Sequence, residues 1–211
     1  TNSWLATPSQ VTVPYGSSKD FVVSVTIPKV LNGTIDIWSV SANATNDNSV
    51  KDILQGTTTV GIVNGHELTG DTGLSGNPGD TVTYHFTILN TGNAQEKMFY
   101  TVSSSWSIDN VGGDNTLGMG DSATISVTQT IPSNAAAGAT STVTFSVVNG
   151  DVESVTTTAN QVYGVTVTAG TLIGLNPGVS GDLPFTVTNT GNGLDTFTIG
   201  HSGVWANAKS D

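Results

Sequence analysis

The run NPGDTVTYHFTILNTGN, Asn77 to Asn93, returns 99 residues later as NPGVSGDLPFTVTNTGN, Asn176 to Asn192. A period of this length confines the chain to an array of domain-sized units stacked end to end. A gapless comparison at the same offset matches Thr57-Thr58-Thr59 to Thr156-Thr157-Thr158, Val63 to Val162, Gly65 to Gly164, Phe86 to Phe185 and Trp106 to Trp205. A second block recurs at an offset of 104. Met119 to Val127, with Thr130-Ile131-Pro132, aligns with Tyr15 to Val23 and Thr26-Ile27-Pro28. Trp4 then falls 102 residues before Trp106, so the extra residues belong to the loop after Trp106, where insertions are tolerated.

Inside the repeats the apolar residues alternate. Val82, Tyr84, Phe86 and Ile88 share one parity, and Thr81, Thr83, His85 and Thr87 the other, the period of a half-buried strand. Leu183, Phe185 and Val187 keep that phase in the second copy. Met98, Tyr100 and Val102 lead in register to Trp106, as Phe197 and Ile199 lead to Trp205. Ile125, Val127 and Ile131 form another row, echoed by Phe21, Val23 and Ile27, and Val143, Phe145 and Val147 supply one more. Asn-Thr-Gly-Asn at 90–93 and 189–192 reads as a turn tolerant of positive φ, Pro78-Gly79 and Pro177-Gly178 as strand starts, and Asn149-Gly150-Asp151 as a hairpin turn. Helical periodicity is missing, although Ser49 to Gln55 has room for one short turn.

These signals predict an all-β chain of tandem Ig-like antiparallel β-sandwich modules. The repeat phase divides it into residues 1–63, the C-terminal part of one module, 64–163, a complete module, and 164–211, the N-terminal part of another. The expectation is that the incomplete modules at the chain ends are completed by a neighbouring chain, by one another, or by sequence outside this segment, because half a sandwich exposes an apolar face and an unpaired edge. Pro184, standing where the first copy has His85, points to an edge position or a bulge.

Composition narrows the function. Sixteen acidic against five basic residues give a net charge of −11, which repels phosphate backbones and anionic lipid, so nucleic acid is excluded as an expected partner. There is no cysteine, and the wealth of Thr, Ser, Asn and Asp with few lysines suits a secreted, disulfide-free exoprotein. No apolar run reaches the ~18 residues of a membrane helix, so no membrane insertion is expected in this segment.

The run N-P-G-D-T-V-T-Y-H-F-T-I-L-N-T-G-N, followed about thirty residues on by L-G-M-G-D-S-A-T-I-S-V-T-Q-T-I-P, resembles the Ig-like repeats of prokaryotic surface proteins, the CARDB-type adhesion repeats and archaeal S-layer-associated modules. That resemblance implies an extracellular, cell-surface setting: stalks, S-layers, adhesins or filaments.

Few residues offer chemistry. His66, His85 and His201 have Val165, Pro184 and Val102 as their repeat counterparts, so the unit does not require a histidine at these positions. With no cysteine, no His–carboxylate cluster and no nucleophile elbow, no enzyme is expected. The loop bearing Asp109 and Asp114, with Asp121 beyond it, could gather oxygens for a calcium ion, although Asp, Asn and Gly are also ordinary turn makers. Asn32 and Asn43 begin Asn-x-Thr sequons and are candidate glycan sites. Trp4, Trp106 and Trp205 share the parity of the inward rows and are expected as core residues, while Trp38 has no counterpart and reads as an exposed contact. The expected function is a structural subunit of a prokaryotic extracellular filament or S-layer-like assembly, a homopolymer of copies joined head to tail by β-strand complementation. The alternative is an adhesin or carbohydrate-binding stalk holding a binding domain away from the cell, with glycans as partners.

Overall fold

The structure, a computed structural model, describes residues 10–148, 150–171 and 174–202. Its regular elements are all strands, with no helix among the described residues. The first two, β1 (Ile35–Ala44) and β2 (Asp47–Thr59), pair antiparallel as an isolated hairpin. Ser49 to Gln55 therefore lies in a strand and not in a helical turn, because Ile53 and Leu54 are drawn into the ladder opposite Ser41 and Val40.

Nine strands follow: β3 (His66–Gly70), β4 (Leu74–Gly76), β5 (Thr81–Asn90), β6 (Glu96–Ser103), β7 (Ser107–Ile108), β8 (Gly112–Leu117), β9 (Ser122–Thr130), β10 (Thr140–Val147) and β11 (Val152–Ala159). They form a four-stranded sheet ordered β3-β5-β9-β7 and a five-stranded sheet ordered β4-β11-β10-β6-β8. Tyr84, Phe86, Ile88, Ile125 and Val127 from one sheet and Met98, Val102, Val143, Phe145 and Val155 from the other close a single core. The predicted parity holds in these rows: Thr81, Thr83 and His85 are exposed while Tyr84, Phe86 and Ile88 are buried. The Phe86 and Phe145 rings stack at 4.8 Å across the sheets.

One pairing departs from the antiparallel expectation. β4 runs parallel to β11, Leu74 opposite Thr157, because the chain leaves the β3 edge of one sheet and crosses to the edge of the other within three residues. Gly73 makes the crossing possible, since a Cβ there would stand 2.6 Å from the Thr156 carbonyl oxygen. At the other end of the sheet, Gly150 and Asp151 close the β10–β11 hairpin with Gly150 N–H and Val147 N–H donating to Val147 and Asp151 carbonyls, both at 3.0 Å.

Beyond the sandwich, β12 (Val165–Ala169) and β13 (Phe185–Asn189) form a second isolated pair. Its register, Val165 opposite Asn189, is that of His66 opposite Asn90 in β3–β5, shifted by the repeat. The β1–β2 hairpin likewise reproduces β10–β11: Ile35 faces Thr59 as Thr140 faces Thr158. The two isolated pairs thus correspond to different sheets of the sandwich, β12–β13 to the four-stranded one and β1–β2 to the five-stranded one. No strand element precedes β1 among the described residues. The expected row Phe21, Val23 and Ile27 therefore does not sit in a strand, although its equivalents in β9 and just after it do line the core. The difference is the extent of pairing: β9 is laddered between β5 and β7, neighbours a strand needs, whereas this segment makes only an isolated bridge at Val25 among the described residues.

Candidate functional site: joints and open strand edges

The Asn-Thr-Gly-Asn motif does more than turn the chain. Asn90 is fully buried: its Oδ1 accepts Gly92 N–H at 2.9 Å, and its Nδ2 donates to the Ala94 and Leu117 carbonyls at 2.8 and 2.9 Å. Gly92 does not adopt positive φ, contrary to the expectation for this motif. Its lack of a side chain serves proximity instead, since a Cβ would lie 2.6 Å from the Val63 carbonyl oxygen. Pro78-Gly79 and Pro177-Gly178 do turn through left-handed glycines, with φ of 91° and 85°.

Asn93 holds the chain that enters the sandwich. Its Oδ1 accepts Val63 N–H at 2.8 Å and its Nδ2 donates to the Gly61 carbonyl at 2.9 Å. Its own carbonyl accepts Asn32 N–H, from the turn before β1, at 2.9 Å. Asn192 repeats the arrangement, accepting Val162 N–H at 2.7 Å, donating to the Asn160 carbonyl at 2.9 Å, and accepting Ala137 N–H on its carbonyl at 2.9 Å. Each asparagine satisfies backbone groups that leave one β-ladder before joining the next, groups that would otherwise be costly where water is excluded. The sequence held a signal for this: the second Asn, Val63/Val162 and Gly65/Gly164 all recur at the same offset.

A buried polar chain crosses the sandwich interior and has no signal in the alternation. Gln129 sits in the inward row of β9, bonded to Ser104, Ser141 and Thr157, and the Thr157 hydroxyl also meets the Tyr84 hydroxyl at 2.7 Å. Buried groups of this kind are tolerated because each finds a partner.

The three aspartates considered for calcium do not converge. Asp109 Oδ1 accepts Thr128 N–H at 2.7 Å, near the end of β9, whereas Asp121 Oδ2 accepts Gly118 N–H at 3.2 Å before its start. The length of β9, on the order of 20 Å, separates them. Asp114 pairs with Lys97 on the other sheet at 3.3 Å. Among the described residues no three His or acidic side chains are placed to hold a metal ion. The single-site expectation is thus not met, because the sheet spreads apart residues that are close in sequence.

The histidines are also scattered. His66 Nε2 accepts Asp151 N–H at 3.2 Å, His201 is exposed, and His85 lies on the outer face beside Asp71, Nδ1 to Oδ2 at 3.0 Å. Asp71 Oδ2 also accepts His85 N–H at 2.8 Å, which with the ring contact holds this carboxyl below the ordinary aspartate range. Of the sequon asparagines, Asn32 is exposed in a turn and Asn43 exposed near the tip of the β1–β2 hairpin.

Trp106 is half-buried and packs beside a small cluster of Ile131, Ala135 and Ala159, separate from the main core. Trp106→Ala is accordingly expected to cost about 1–3 kcal/mol, below the range for fully buried aromatics, as read by urea unfolding. Trp4 and Trp205 lie outside the described residues. Trp38 is not a free contact: its ring covers Gly56 directly across the hairpin, where a Cβ would collide with it. The equivalent pair in the sandwich is Val143 opposite Val155, both buried, so Trp38 stands at a core position of its own repeat.

The open edges complete the site. Among the described residues the β12–β13 pair ends at β13, whereas β5, its counterpart, continues to β9. Pro184 does not block this edge. Its counterpart His85 turns its N–H toward Asp71, on the β3 side, and the Pro184 carbonyl likewise accepts Gly170 N–H at 2.7 Å. The donor that proline lacks belongs to the side already occupied.

No protein-family model matches the chain, and a search of curated proteins gives no significant match.

Proposed function

We propose that this chain is a non-catalytic structural subunit of an extracellular assembly at a prokaryotic cell surface, a filament or S-layer-like lattice, in which copies join head to tail by completing each other's sandwiches. The observation that carries the reading is the exposure of side chains whose repeat equivalents are buried. Phe185 is 58% exposed where Phe86 is fully covered, and Phe21 is 50% exposed where Ile125 is 7%. Apolar rows of this kind beside an unpaired edge invite a further strand. Head-to-tail contacts do not close on themselves and so propagate. The acidic, cysteine-free composition and the resemblance to Ig-like surface repeats support the location.

The repeated hydrogen-bonded joints suit a second reading equally well, a stiff adhesive or carbohydrate-binding stalk. Negative-stain electron microscopy and sedimentation of the purified chain separate the two. Concentration-dependent polymers of regular repeat are the expected result; stable monomers that retain glycans on an array would replace the filament by the stalk.

A further inference from the structure

The two Asn-x-Thr sequons sit in opposite surroundings, one at the open tip of a hairpin and one inside a joint. We infer that Asn43 accepts an N-linked glycan in the folded protein and that Asn32 does not. This goes beyond the assembly proposed above and rests only on its extracellular setting. The chemistry is a glycosyl transfer, by an oligosaccharyltransferase, from a polyprenyl-diphosphate-linked oligosaccharide. Asn43 Nδ2 bonds to the anomeric carbon as the bond from that carbon to the diphosphate oxygen breaks. The lipid diphosphate leaves with the electron pair, and one amide proton passes to a base of the enzyme.

The template hairpin β10–β11 turns over three residues, 148–150, with Val147 N–H donating to the Asp151 carbonyl at 3.0 Å. By the register the two hairpins share, Ala42 opposite Asp52 is the equivalent of Val147 and Asp151. Yet nine residues, 43–51, lie between them, and all nine are exposed. The tip of β1–β2 is thus longer than the unit requires, and Asn43-Ala44-Thr45 opens the extension. Insertions in a repeat carry what the shared scaffold does not. The ladder slips directly after Asn43, from Asn43 opposite Lys51 to Ala44 opposite Asp47. Side-chain bonds in the tip run to Asp47 Oδ1, from Ser49 N–H at 3.0 Å and the Ser49 hydroxyl at 2.6 Å. Among the described residues none engages the Asn43 amide or the Thr45 hydroxyl.

Exposure alone does not separate the two asparagines, since Asn32 is exposed as well. A transferase has to draw the sequon into its own cleft and bind the threonine hydroxyl, so bonds that hold the sequon in the fold oppose modification. Asn32-Gly33-Thr34 is held at every residue. Asn32 N–H donates to the Asn93 carbonyl, Gly33 N–H to the Val60 carbonyl, and the Thr34 carbonyl accepts Val60 N–H, each at 2.9 Å. The Thr34 hydroxyl donates to the Leu31 carbonyl at 2.7 Å, on a half-buried residue. Gly33 and Gly138 turn alike, with φ of 74° and 77°, and bond the Val60 and Ala159 carbonyls at the same 2.9 Å, so this backbone belongs to the recurring joint. Freeing Asn32 therefore means opening the joint. Freeing Asn43 means peeling the tip of a two-stranded pair, a unit with little to hold it.

The test presents the folded 211-residue chain to a purified single-subunit oligosaccharyltransferase with a polyprenyl-diphosphate-linked oligosaccharide of known mass. Glycopeptides are then quantified by mass spectrometry, and free peptides of residues 28–38 and 39–49 serve as unfolded references. Both peptides are expected to take the glycan. In the folded chain, occupancy at Asn43 is expected to exceed that at Asn32 by at least about tenfold, because modification of a held segment follows the small population in which it opens. Asn43→Gln is expected to abolish the added mass and Asn32→Gln to leave it. Equal occupancy at the two sites overturns the selection by the joint. A folded chain unmodified at Asn43, beside a modified 39–49 peptide, overturns the open tip. Refusal of that peptide overturns Asn43-Ala44-Thr45 as an acceptor. None of these results depends on whether the chain polymerises in sedimentation, which decides the assembly separately.

Discussion

Phe145→Ala is expected to lower the stability of the central sandwich by about 3–5 kcal/mol, the range for truncating a fully buried aromatic. The ring has no exposed surface and stacks on two others, Phe86 at 4.8 Å and Tyr100 at 4.9 Å. Removing it takes the middle member from this stack and leaves a cavity between two rigid sheets, which cannot collapse to fill it. Urea unfolding followed by tryptophan fluorescence reads the loss. A change below about 1 kcal/mol, the level of surface substitutions, would show that the two sheets do not pack as described. Phe185→Ala, on the open pair, serves as a contrast: in the monomer it is expected to change little, because the same repeat position is exposed there.

The second large effect falls on a polar residue. Asn90→Ala deletes three hydrogen bonds at a site 1% exposed and takes the amide donor from the Ala94 and Leu117 carbonyls, while Gly92 N–H keeps the Gly65 carbonyl at 3.1 Å. Each buried group left without a partner costs about 1–3 kcal/mol, so a total near that of Phe145→Ala is expected. Asn90→Asp is the sharper test, since it is isosteric yet sets a carboxylate oxygen against two carbonyls. It should be at least as damaging as alanine at neutral pH, and should recover partly in acid as the carboxyl protonates and regains a donor. An aspartate variant as stable as the parent at neutral pH would show that the amide's donors are not needed.

Much of the sandwich is legible in the sequence because strand alternation is local. The parity of Val82 to Ile88, of Ile125 to Ile131 and of Val143 to Val147 names the core side chains without knowledge of which strand meets which. The repeat likewise announced the equivalence of Phe86 with Phe185. What alternation does not carry is the identity of the neighbour across each edge. Phe21, Val23 and Ile27 have the pattern of a strand, but among the described residues their segment makes only an isolated bridge at Val25 and no ladder, so they remain outside one. β4 joins the sheet opposite β3 because Gly73 allows the crossing, and Asp109, Asp114 and Asp121, close along the chain, are spread over two sheets.

The sequence by itself determined the strand class, the inward faces and the period of the array, since these depend on each residue and its neighbours two positions away. Only the tertiary structure decided that Asn93 and Asn192 bond the passage between ladders, that Gln129 occupies the core, and that Pro184 leaves the edge of β13 free. Those outcomes depend on which backbone groups lack partners once the sheets have formed, a property of pairing between residues far apart in the chain.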